Sequence, residues 1–152
     1  MDKTIKYVLI LLAIVALVAG LFGYLLYAAI TTQQSIPSSG TVAAIGVNVY
    51  SNSALTTPLT SIPWGTVDPG GTSTITAYIQ NSGDEAETLA LSVGSYSPST
   101  ASTYITISWN LPSGYSLAAG ANTSVTFTLS VSSSVTGITT FSATLTITGT
   151  GS

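Results

Sequence analysis

The chain has 152 residues, with two basic and five acidic side chains, no histidine and no cysteine. Those counts exclude disulfides, imidazole or thiolate metal ligands, and any nucleophile built on a Ser–His or Cys–His pair. A formal net charge of −3 with charged residues at 5%, against about 25% in an ordinary soluble domain, also removes the basic footprint that nucleic-acid binding requires.

Residues 1–6 (MDKTIK) hold both basic residues, Lys3 and Lys6. The next 24 residues, 7–30, carry no charge (YVLILLAIVALVAGLFGYLLYAAI). As a helix such a run spans about 36 Å, enough for a hydrocarbon core of about 30 Å with some tilt. A cleaved secretory signal is the alternative, but its apolar region is usually about 7–15 residues and ends in a small-x-small site. Tyr27 and Ala29 fit that site poorly. The expectation is therefore a retained transmembrane helix over 7–30 with the lipid bilayer as its first partner. The lysines on its N-terminal side place residues 1–6 in the cytoplasm and the remainder outside. Tyr7, Tyr24 and Tyr27 stand where interfacial aromatics anchor a span. Ala13, Ala16, Ala19, Gly20 and Gly23 recur at steps of three and four, a stripe that lets helices approach closely and makes helix–helix packing a candidate role.

Residues 31–40 (TTQQSIPSSG) read as a polar spacer. Beyond it an outer domain is expected over 41–152. Ser and Thr make up 47 of the 122 residues from Thr31 onward, and apolar residues now alternate with them. Ala43-Ile45-Val47-Val49, Ile75-Ala77-Ile79, Leu89-Leu91-Val93, Ile105-Ile107-Trp109, Val125-Phe127-Leu129-Val131 and Phe141-Ala143-Leu145-Ile147 are period-2 runs of strand length. Residues 62–67 (IPWGTV) give a seventh candidate, at a sheet edge because of Pro63. Turn formers separate the runs: Asp68-Pro69-Gly70-Gly71, Asn81-Ser82-Gly83-Asp84, Pro112-Ser113-Gly114 and Ala119-Gly120-Ala121-Asn122. About seven short strands without a helical period predict an all-β, immunoglobulin-like antiparallel sandwich. Trp64, Trp109, Phe127 and Phe141 are its expected core anchors.

The segments SIPSSGTVAAIGVNVY (35–50), SIPWGTVDPGG (61–71), ITAYIQNSGDEAETLALS (75–92), YITISWN (104–110) and TLSVSSSVTGITTFSATLTIT (128–148) carry a resemblance. The outer domain resembles the membrane-anchored immunoglobulin-like surface proteins common in archaea. The resemblance implies the sandwich fold and a place at the cell surface, and it lends no active site. The layout of apolar helix plus Thr/Ser-rich head is also similar to archaeal type IV pilins and archaellins. Those precursors carry a basic residue followed by Gly or Ala before the apolar run, whereas Lys6 is followed here by Tyr7.

Little chemistry can be assembled. Beyond Asp2 the acids are Asp68, in a turn, and the cluster Asp84, Glu85 and Glu87. The cluster reads first as a solvated turn and second as a weak Ca²⁺ site, since hard oxygen ligands suit that ion. No catalytic residue and no cofactor is expected. Asn122-Thr123-Ser124 is the one N-glycosylation sequon, in a predicted turn. No charged residue occurs from Thr88 to Ser152, although exposed sheet edges are commonly protected by charge, Pro or bulges. The uncharged terminal segment 138–148 therefore suggests lateral association with a protein partner or with the chain itself. Few groups titrate, so stability should depend weakly on pH. These readings converge on a non-enzymatic, single-pass surface module with structural or adhesive interactions, without nucleic-acid or small-molecule substrates. A pilin-like filament subunit with residues 7–30 as helical core is the alternative.

Overall fold

Alternation of β-branched and small polar residues favours extended backbone, and the computed structural model, which describes residues 36–151, is built almost wholly from it. The strands are β1 (Ile36–Ile45), β2 (Asn48–Tyr50), β3 (Ser61–Val67), β4 (Thr72–Gln80) and β5 (Glu87–Ser97), then β6 (Ile105–Trp109), β7 (Ser116–Leu117), β8 (Asn122–Val131) and β9 (Phe141–Gly151). One 3-10 turn, Ser99–Thr103, joins β5 to β6. The expected transmembrane helix over 7–30, and with it the stripe Ala13, Ala16, Ala19, Gly20 and Gly23, lies outside the described residues. Among the described residues no helix is long and apolar enough to cross a membrane.

Two sheets form, in the orders β3-β1-β9-β5-β7 and β2-β4-β8-β6. From β3 to β9 every strand lies in the sheet opposite its predecessor, so among the described residues no two consecutive strands pair. The Asp-Pro-Gly-Gly and Asn-x-Gly turns thus carry the chain between sheets rather than closing hairpins. The inward faces make one core. β8 contributes Val125, Phe127, Leu129 and Val131; β9 contributes Phe141, Ala143, Leu145 and Ile147; β4 contributes Ala77 and Ile79. The two-sheet, all-β architecture is consistent with a sandwich.

The first strand departs from the sequence reading in three ways. Residues 36–40, assigned to the spacer, are instead the first half of β1. Their Ser, Pro and Gly have poor strand propensity, but β1 has a hydrogen-bonded strand on each side, β3 and β9, and ladder pairing outweighs local preference. Ile36 is fully buried, and Gly40 is buried beneath Trp64. Secondly, the run 43–49 is not one strand. Gly46 takes φ +77°, a conformation natural to glycine, and the chain leaves the first sheet at Ile45 to resume as β2 in the second. Thirdly, β1 and β9 run parallel, against the expectation of a wholly antiparallel fold. A parallel pair needs a long connection, and everything between these first and last strands supplies it. With the two-residue β7, the strands number nine among the described residues rather than about seven.

Candidate interaction surface

Glu87 opens β5 opposite Gly151 and Leu117. Its half-buried carboxylate lies against Gly149, where a Cβ would collide with Oε2, and beside Gly46 and Gly83. Glu87 Oε2 is buried and has no hydrogen-bond partner among the described residues. Asp84 and Glu85 are exposed. Among the described residues no three acidic, histidine or cysteine side chains converge to hold a metal ion, so Asp84, Glu85 and Glu87 are neighbours in sequence without forming a ligand set.

The loop that carries these acids is organised by a residue read from sequence only as a turn former. Asn81 is fully buried. Its Nδ2 donates to Glu85 O at 2.7 Å and to Leu117 O at 3.0 Å, and its Oδ1 accepts from Gly83 N at 2.8 Å. One side chain thereby ties the β4–β5 loop to β7. The Asn-x-Gly spacing was a legible signal for the Oδ1 bond, an Asx turn; the bond to Leu117, 36 residues away, was not.

Asn122, the sequon asparagine, is exposed as the first residue of β8 rather than in the preceding turn. Thr123 Oγ1 lies 3.3 Å from Tyr115 Oη, which donates to it. Trp64, Phe127 and Phe141 are buried. Trp64 Nε1 finds no hydrogen-bond partner among the described residues. Trp109 differs: it stacks on Phe127 at 6.3 Å between ring centroids, yet it is only half-buried, because β6 is the outermost strand of its sheet.

The uncharged terminal segment 138–148, which prompts the expectation of lateral association, does not form a sheet edge. β9 runs inside its sheet, flanked by β1 and β5. Among the described residues, most of one edge of β5 is uncovered. β7 pairs only with Glu87 and Thr88, and Leu89 N donates to Tyr115 O. Backbone groups alternate in direction along an antiparallel strand, so Leu91 and Val93 present N–H and C=O to the same side as Leu89, where no strand follows among the described residues. On the inward face Leu89 is buried, but Leu91 and Val93 are only half-covered. Between this edge and β6 lies a groove of about 620 Å³, lined by Leu89, Leu91, Trp109, Leu111 and Pro112 among others. An open row of peptide groups beside an apolar groove is what an added strand requires. The remaining edges differ. β3 contains Pro63 and Gly65, opposite a register shift at Ser38/Ser39. β2 is flanked by residues 57–59 through Leu59 N to Val49 O and Ser51 N to Thr57 O. β6 has five residues.

No protein-family model and no curated protein matches this chain.

Proposed function

We propose that the described β unit is a non-enzymatic interaction module of immunoglobulin-like type, displayed outside the cell and tethered to the bilayer by a transmembrane helix over residues 7–30. The observation that carries this reading is the order of the chain. An uncharged 24-residue run with both lysines on its N-terminal side precedes a β unit without a single basic residue. The resemblance to archaeal surface proteins supports the immunoglobulin-like comparison; the strand order does not, since consecutive strands pair within immunoglobulin sheets and none does here among the described residues. The open β5 edge supports an interaction role over a catalytic one. An exposed Asn122 would be reached by a glycosylating enzyme on the outer side.

Protease protection tests the reading. Proteinase K added to intact cells removes the β unit and leaves a membrane-bound N-terminal fragment; a β unit protected until lysis overturns the orientation. A filament subunit is the second reading, favoured by the small-residue stripe at 13, 16, 19, 20 and 23 and opposed by Tyr7 after Lys6. Shearing the cell surface separates the two: release as filaments with a new N-terminus near Lys6 supports the subunit, and retention in membranes with Met1 or Asp2 at the N-terminus supports the anchor.

A further inference from the structure

We propose that the open edge of β5 joins two copies of this chain, β5 against β5, antiparallel about a two-fold axis at Ser92. The inference rests on reading the β unit as an interaction module and names its partner.

Charge selects the class of partner. No residue from Thr88 to Ser152 is charged, and a partner that brought charges into the groove would lose their hydration with no counter-charge in return. The fitting occupant is a neutral strand with apolar side chains at alternate positions. β5 is such a strand: Leu89, Leu91 and Val93 face inward, and Ala90 and Ser92 are exposed.

Register then follows from the backbone. With the axis at Ser92, Leu91 stands opposite Val93 of the second copy, and Val93 opposite Leu91 of the second copy. Each of these pairs exchanges two N–H···O=C bonds, which satisfies the groups that the described residues leave open. Both sheets keep their inward faces on the same side, so the Leu91 and Val93 side chains of one copy extend the apolar lining beside Trp109 and Leu111 of the other. The length of the pairing is limited on both sides. β7 occupies the edge at Glu87 and Thr88. At the far end the strand bulges between Gly94 and Ser97, where Ser95 has φ 52°. Residues 90–94 remain, and the axis at Ser92 bisects them. An isologous contact of this kind closes on itself as a dimer.

The chain has no cysteine, so a single introduced thiol reports on one position. Ser92 of each copy would form a non-hydrogen-bonded pair, with Cα atoms about 4.5 Å apart, inside the usual range for a disulfide. Ala90 of one copy would stand four residues from Ala90 of the other, about 13 Å along the strands, beyond bridging distance. Both positions are exposed, so neither substitution disturbs the core. The full-length Ser92→Cys and Ala90→Cys chains would be oxidised in detergent with copper phenanthroline and run without reductant. A shift of Ser92→Cys to dimer mobility, with Ala90→Cys staying monomeric, is the expected result. A monomeric Ser92→Cys chain overturns the pairing and leaves the edge to a different protein. Equal dimer at both positions also overturns it, because helix association alone would bring the copies together without register. A monomeric Ser92→Cys chain leaves the module reading standing if intact cells still expose the β unit to protease. A β unit protected until lysis removes that reading whatever the crosslinking shows.

Discussion

Gly149 is filled by a neighbour: the space its side chain would take holds the Glu87 carboxylate, and the Val47 methyl stands 2.8 Å from the same point. Gly149→Ala must displace both, and overpacking of this kind costs about 1–3 kcal/mol. Gly94→Ala is the control, since that position has open space and no positive φ; urea unfolding followed by tryptophan emission should show a large loss for the first and little for the second. Asn81 is the other residue whose role exceeds its appearance. Asn81→Ala leaves Glu85 O, Leu117 O and Gly83 N without that partner, for an expected loss of about 2–4 kcal/mol. Asn81→Asp keeps the bond from Gly83 N and loses both donors, so it should recover little in the same assay. Sequence marked Asn81 as turn material and gave Gly149 no role. Leu117, Glu87 and Val47 lie far along the chain from the residues they meet, and no local pattern encodes such a meeting.

At the level of elements, periodicity was sufficient to find most strands and insufficient to place them. β4, β6, β8 and β9 coincide with period-2 runs because each buries alternate side chains. The first half of β1 escaped because Pro37, Ser38, Ser39 and Gly40 dominate it, and its extended form is imposed by pairing on both sides. β7 has two residues, too few to show any period. Position within the sheet also sets the worth of the aromatic anchors. Phe127 lies in β8, interior to its sheet, and is fully buried; Phe127→Ala should cost about 3–5 kcal/mol. Trp109 lies in the outermost strand and faces the groove, so Trp109→Ala should cost clearly less. Thermal melts of the two variants side by side measure the difference, and equal losses would contradict the placement of β6 at an uncovered edge.

For the whole molecule the consequence of composition is electrostatic. From Tyr7 onward there is no Lys, Arg or His, so the β unit has no ion pairs to lose in acid and no buried imidazole to charge, the usual sources of acid unfolding. The melting temperature should therefore fall by no more than a few degrees from neutral pH to about pH 4. The alkaline side differs. Burial raises the Tyr96 hydroxyl above its ordinary value of 10.0. The folded chain thus holds that proton more tightly than the unfolded one. Its contribution is complete below about pH 10 and is lost as pH rises through the folded value. Melts at pH 9 and 11 check the sign, with Tyr96→Phe removing that part of the decline. Alternation and composition are local quantities, and they sufficed for the all-β class of the described residues, the burial of Trp64, Phe127 and Phe141 and the lack of imidazole and thiol groups. That β1 shelters β9, that the β5 edge stands open among the described residues and that Asn81 is a buried fastener each depend on which distant segments meet, and came from the fold.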